Sequence, residues 1–428
     1  MKLGYNEIMI VSKYFKDIKD FINLEMGVKR FRGNMERFHF NPIPLNQYSR
    51  KLFPNIETFH IYNKEDEIFK DGRIFKQIIW YKVSYSTYLK KKKEMDEYNN
   101  IEYTQEDRNT YGNKIPIEAN SVGEYCFSLC GDIQEINIPT NVSEIGKCCF
   151  EGCKSLTSIN IPTSVSEIGN ECFEYCTSLR TVNIPTSVIA IGNECFRECL
   201  SLTSINIPTS VITIGEGCFR ECTSLRIVNI QTSIIEIGEG CFYRCSSLRT
   251  INIPTTITTI GEWCFRECTS LTSINIPTSI IAIGNECFRE CKSLRTINIP
   301  TSVITIGEWC FRGCKSLRTI NIPTSIIEIG EGCFYRCSSL RTINIPTSII
   351  AIGNECFREC KSLTSINIPT SVIAIGNECF RECKSLRIIN ISSSITSFGN
   401  RCFYHCGCEE ELKKNKTIPE YCFYEYEY

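Results

Sequence analysis

Cysteine is the residue here whose number and spacing could do chemistry. The chain of 428 residues holds 29 of them, beside only three histidines. None occurs before Cys126. From there Cys126, Cys149, Cys172 and every 23rd residue to Cys402 is cysteine, and a second column runs four residues later, from Cys130 to Cys406. Two columns of 13 leave Cys148, Cys408 and Cys422 outside. Thiols in such numbers could form disulfides, ligate zinc, or pack as small weak hydrophobes. A disulfide needs Cα atoms about 4.4–6.8 Å apart, which residues i and i+4 of a turn or stacked neighbours could meet. Met1–Asp20 has no uninterrupted apolar run and no small-residue cleavage site, so an export signal is not expected. Reduced, buried thiols are therefore the favoured reading and a cytoplasmic location the expected one. For zinc the densest group is Cys402, His405, Cys406 and Cys408, but three of these positions belong to columns shared by every unit.

Other catalytic arrangements are missing from the sequence. There is no G-x-x-x-x-G-K-[ST] and no H-E-x-x-H. His39, His60 and His405 are scattered, so nucleophilic catalysis lacks its base. Every Cys-Glu or Cys-Arg neighbour recurs a dozen times, whereas an active site is singular. No enzyme and no cofactor are expected. With 47 basic and 48 acidic residues the net charge is -1, which gives no long-range field for nucleic acid. No run approaches the ~18 apolar residues of a membrane helix.

The cysteines are thus a property of a repeat, C-F-x-x-C-x-S-L-x-x-I-N-I-P-T-S-V/I-x-x-I-G-x-x. In the copy from Cys287, Leu294, Ile297 and Ile299 follow strand alternation and point inward, with Thr296 and Asn298 outward. Pro300 ends that strand, Val303–Ile306 makes a second short one, and Gly307 is expected at a turn with positive φ. The C-F-x-x-C stretch is expected to form a helical or 3-10 turn with Cys and Phe inward. A 23-residue unit cannot bury its apolar side alone, so the units must stack like on like. Gly238–Thr255 recurs identically at Gly330–Thr347, four units later, as block duplication would produce. The ends are atypical, as caps should be: Ser392 replaces the proline, Phe398 the isoleucine, and Ile418–Phe423 reads as a truncated half repeat.

The unit L-x-x-I-x-I-P-x-x-V-x-x-I-G-x-x-C-F-x-x-C resembles the BspA-type leucine-rich repeat, found in bacterial surface antigens and in some parasitic protists. The resemblance covers about residues 115–425, with cysteine at a position the family often fills with alanine. It implies a repeat solenoid of stacked short parallel strands serving protein–protein interaction, and in bacterial members adhesion to host proteins. The expected organisation is a helical module at 1–45, a mixed linker or N-cap at 46–114, about 13 units at 115–408 and a C-terminal cap at 409–428.

Two outward columns would lie on the sheet face. One is an unbroken asparagine column from Asn137 to Asn390, including Asn252, Asn298, Asn321 and Asn344; its amides could bond along the stack. Beside it run Arg180, Arg226, Arg249, Arg295, Arg318, Arg341 and Arg387, with threonine in four intervening units. These arginines have no acid at a fixed offset and make a candidate protein-binding stripe. A further basic row, Arg197, Arg220, Arg266, Arg289, Arg312, Arg358 and Arg381, has acids three or four residues before it. Such pairs contribute about 0.2–0.5 kcal/mol each.

Residues 1–114 have 21 basic and 16 acidic residues, no cysteine and no visible repeat. Apolar residues at three- and four-residue steps from Ile8 to Phe38 predict two or three short helices. Phe53–Tyr62 and Gln77–Val83 read as strands, and Lys90–Lys93 as a solvated basic run. Glu7–Phe38 is similar to an F-box, through Ile8, Val11, Phe21, Leu24, Val28 and Phe31, although the usual Leu-Pro start is missing. That resemblance implies docking to a Skp-type adaptor of a ubiquitin ligase, with the solenoid selecting substrates. The leading reading is an interaction scaffold whose partner is a protein; the alternative is an exported or cell-surface adhesin.

Overall fold

The computed structural model describes residues 4–424. The last four residues of the expected C-terminal cap lie outside them. The chain falls into two compact units, Met1–Gly123 and Glu124–Tyr428.

The second unit is the solenoid, about 14 turns of parallel strands. Each turn contributes a first strand carrying the asparagine, such as Ser204–Asn206, and a second ending in the isoleucine, such as Thr213–Ile214. Register is one whole unit: Asn206 faces Asn229, and Ile191 faces Ile214. Leu294, Ile297 and Ile299 are buried as the alternation requires, while Thr296 and Asn298 are exposed. The rings from Phe127 to Phe403 form one continuous stack, with centroids 5.3–5.7 Å apart and planes within 11° of parallel. Strands pair at about 4.8 Å.

The C-F-x-x-C segment is not the helical turn its sequence suggested. The residue before each cysteine of both columns has a left-handed backbone, and the 21 of these that are not glycine lie between φ +49° and +60°. This reverses alternate peptides. Arg289 N and Cys291 N close turns onto Glu286 O and Phe288 O, whereas Glu286 N, Phe288 N and Glu290 N donate to Glu308 O, Cys310 O and Arg312 O in the next unit. A helix would keep all these donors within its own turn, and the stack would lose its bonds.

The glycine reading also changes. Gly307 is not among the positive-φ residues. A Cβ there would stand 2.4 Å from Asn285 N of the preceding unit. Bare backbone is needed for close approach, and the commonest residue at the left-handed positions is glutamate. At the C-terminal end Ile418–Phe423 continues the pattern as a shortened turn: Phe403 N donates to Cys422 O at 3.0 Å, and Phe423 stacks on Phe403 at 6.1 Å.

The first unit begins with helices Tyr5–Ser12 and Ile18–Gly27. Asp17 caps the second through Lys19 N and Asp20 N. From Phe40 onward it too is built of parallel pairs: Phe40 with Thr58, Thr58 with Lys76, Gln77 with Asp96, and, on a second edge, Val83 with Ile101 and Glu102 with Ser121. The segment expected as a mixed linker is therefore an irregular repeat with steps of 18 or 19 residues. Its core is continuous across residue 45: Phe21, Met35 and Phe38 from the helical segment pack with Phe53, Ile56 and Phe59.

These placements give opposite expectations for glycine. Gly307→Ala should destabilise the solenoid by on the order of 1–3 kcal/mol, since the backbone above it cannot move aside. Glu382 sits at φ +59° with a loose 3.7 Å contact to Lys384. Glu382→Gly should stabilise by on the order of 1 kcal/mol through relief of the left-handed conformation. Denaturant unfolding followed by circular dichroism checks both.

Candidate protein-binding surfaces

The first strand of most turns exposes three outward positions: the arginine or threonine, the serine or threonine next to it and, beyond a buried isoleucine or valine, the asparagine. Their spacing along the stack is that of the main-chain ladder, with Arg318 N donating to Arg295 O and Arg341 N to Arg318 O. Arg180, Arg226, Arg249, Arg295, Arg318, Arg341 and Arg387 are all exposed. Arg387 is engaged, donating to Gly407 O at 2.9 Å and Lys384 O at 3.3 Å. Among the described residues the other six guanidiniums have no carboxylate within ion-pair distance. No acidic residue occurs on this face from Lys154 to the last strand. Asn252, Asn298, Asn321 and Asn344 are exposed and joined through Asn275 by successive parallel bridges. The anticipated amide ladder appears between Asn390 and Asn367, at 3.2 Å.

Most of the other basic row is compensated by carboxylates; Arg312 is the member with none within ion-pair distance among the described residues. Arg358 Nη1 lies 2.9 Å from Glu355 of its own turn and 2.6 Å from Glu378 of the next, and Arg266 lies 2.6 Å from Glu286. Its members also cover aromatic rings: Arg312 and Arg358, with Arg336 from the left-handed position before Cys337, surround Tyr335 at 4.9–5.4 Å. Tyr243, the same position four units earlier, is surrounded alike by Arg220, Arg244 and Arg266. Beside it Gly217 and Gly240 leave a notch of about 320 Å³, lined also by Glu216, Glu239 and Trp263. In this row Glu174 is a buried carboxylate, 2.9 Å from Arg197. Burial pushes its acid up to about 7, against the opposing pull of Arg197.

The sequence reading missed one surface. The residue after Val or Ile at the start of the second strand is isoleucine in most units. Ile189, Ile212, Ile235, Ile281, Ile304, Ile327, Ile350 and Ile373 are each 43–60% exposed. The signal was available in the I-I and V-I pairs, since neighbours in a strand cannot both face the core.

The thiols contribute no comparable surface. All 29 are buried and unbridged. Burial raises those of both columns, for example Cys222 and Cys333 to about 12, so they are held as thiols. Nor do Cys402, His405, Cys406 and Cys408 converge: His405 is exposed and stacks on Tyr404. Among the described residues no three His, Cys, Asp or Glu side chains are placed to share a metal ion.

With a stacked parallel solenoid in hand, comparison with known proteins is specific. The BspA type leucine rich repeat region, a family description six copies long, matches residues 106–199, 189–318 and 281–410. The chain belongs to the BspA-type leucine-rich repeat family. A leucine-rich repeat protein from Bacteroides ovatus is 31% identical over 72% of this chain and 86% of its own, with a TM-score of 0.61. A leucine rich cell surface protein from Faecalibacterium prausnitzii is 29% identical over 64% of this chain and 84% of its own, with a TM-score of 0.46. No curated protein matches. Proteins of this family are repeat scaffolds, and no enzyme family is indicated. Among the described residues no helix is long and apolar enough to cross a membrane.

In the first unit the six F-box-like positions divide. Ile8, Phe21 and Phe31 are core residues, Leu24 is half-buried, and Val11 and Val28 are exposed. Ile10, within the matched segment, is exposed too, as are Tyr14 and Met26, which the motif did not include.

Glu174 gives this surface a pH dependence. Its folded acid value of about 7 lies above the ordinary 4.5, so the folded chain retains a proton that the unfolded chain releases. The contribution to stability is complete below the lower value and is lost as pH rises through the higher one. Melting temperature should fall across that window, and Glu174→Gln should flatten the fall.

Proposed function

We propose that this BspA-type protein is a non-enzymatic docking scaffold whose solenoid holds an acidic partner protein on its Arg–Asn strand face. The observation that carries the reading is the row of six exposed guanidiniums without carboxylate partners. The row lies beside a polar asparagine column, on a face that has no acid of its own from Lys154 onward. Compensated arginines elsewhere in most turns make the contrast. An acidic segment lying across the strands, along the stack, would meet a cation every one or two units, and its binding would weaken as salt rises.

The first unit presents a second docking area at Val11, Val28 and their exposed neighbours. It fits the reading of a ubiquitin-ligase substrate receptor, in which this area engages a Skp-type adaptor. Eleven cysteines are placed with Sγ at hydrogen-bond distance from main-chain carbonyls, a contact that suits reduced thiols and so supports a reducing, cytoplasmic setting. Family membership supports a second reading, an exported adhesin. Thiol titration in denaturant separates the two: close to 29 free thiols fits the first, and near none the second.

The full chain as bait tests the binding face. With Arg249, Arg295, Arg318 and Arg341 all changed to Ser, partners captured by wild type should be lost without a lower melting temperature. Retention of the same partners at the same affinity would remove the proposal. Val11→Asp with Val28→Asp should remove only an adaptor, leaving solenoid partners bound.

A further inference from the structure

The second cysteine column has a fixed hydrogen-bond rule. From Cys153 to Cys383, eleven successive thiols donate to the main-chain oxygen of the phenylalanine 26 residues earlier, at 3.0–3.3 Å. Cys406 is the next member and departs from it. Its Sγ lies 3.7 Å from Sγ of Cys408, a cysteine outside both columns. The link between them is Gly407, whose carbonyl accepts from Arg387. A side chain at Gly407 would collide with that guanidinium, so the tight Cys-Gly-Cys loop depends on glycine. The two residues keep 6% and 7% exposure, whereas the column thiols from Cys149 to Cys402 keep 1% or none.

We propose that Cys406 and Cys408 form a reversible dithiol–disulfide site, oxidised by small peroxides, within an otherwise inert set of thiols. Residues two apart are close enough along the chain for a disulfide, and the sulfurs need to approach from 3.7 Å to about 2.05 Å. Cys408 is the attacking sulfur. The Cys406 thiol and, more weakly, Arg387 hold it below the ordinary thiol value, while Cys406 itself is raised. Cys408 thiolate attacks one peroxide oxygen, the O–O bond breaks, and hydroxide leaves, giving a sulfenic acid. The Cys406 sulfur then attacks the Cys408 sulfur, expelling the hydroxyl as water and losing its own proton. The sum is two thiols and one hydrogen peroxide giving one disulfide and two waters. Since Leu412 N is bonded to Cys408 O, the bond would fasten the start of the terminal helix Glu409–Leu412 to the last full turn.

The test treats the reduced full-length protein with hydrogen peroxide, alkylates the remaining thiols and maps peptides by mass spectrometry. The expected result is a Cys406–Cys408 disulfide within peptide 402–413, formed about tenfold or more faster than thiol loss from any column, and reversed by dithiothreitol. Equal rates across the columns, or a bond from Cys402 instead, would overturn the proposal. So would direct over-oxidation with no reversible stage. In full-length Cys408→Ser the reversible product should vanish and Cys406 should become as slow as Cys383. Should that variant unfold, the mapping of native wild type still decides.

Discussion

A turn of this solenoid cannot satisfy its own main chain. Of the five amide groups from Glu286 to Glu290, the three at Glu286, Phe288 and Glu290 find acceptors only in the following unit. Buried amides left unpaired are costly, so the next unit must sit in one register, 23 residues on. That single requirement places like above like. The phenylalanine stack and the arginine rows follow from it, as does the close approach at Gly307. It also accounts for the backbone, because the alternation of donors demands a left-handed residue before each cysteine. Glycine fills only five of those 26 positions. Non-glycine residues there each cost energy, which the inter-unit bonds offset.

The same register explains cysteine better than redox chemistry does. The second-column position faces a phenylalanine carbonyl that already accepts one amide, as Phe265 O does from Cys268 N, and has a free lone pair. A thiol fits between stacked rings and supplies a weak donor at 3.1 Å, as Cys291 does to that same oxygen. Alanine would leave that lone pair unused. The serine of the P-T-S turn makes the equivalent bond on the opposite side, Ser302 to Ile280 O at 2.8 Å. Most units are thus sewn to their predecessor by one hydroxyl and one thiol.

What the sequence disclosed, and what it withheld, follows the same division. Period, strand alternation and buried columns were legible because 13 copies repeat them. Cys and Phe were correctly placed inward, but their turn type was not, since Glu286 and Glu290 carry no residue preference for positive φ. Gly307 was noticed for the wrong reason: its need arises from Asn285 in another unit, a contact no single repeat contains. In the first unit the pairs of Phe40, Thr58 and Lys76 share a spacing but no residue type, so the repeat was invisible. The F-box-like pattern mixed core with surface, because helical periodicity marks what is apolar and not what remains uncovered.

The two arginine rows show why the strand face, and not the turn, is the candidate for recognition. At the turn, left-handed positions often carry glutamates beside a guanidinium, so Arg358 is neutralised by Glu355 and Glu378. Those arginines belong to the fold's own electrostatics. On the strand the register puts cation over cation wherever arginine recurs. Two unit charges ~4.8 Å apart in water repel by about 1 kcal/mol before salt screening. Consecutive runs are short, ending at three in Arg295, Arg318 and Arg341 before Thr364 intervenes. Stability therefore does not account for this row, since threonine occupies the same position without repulsion. An anionic surface laid across the strands, along the stack, would turn that repulsion into attraction, and the spacing that creates the cost would then set the spacing of the contacts.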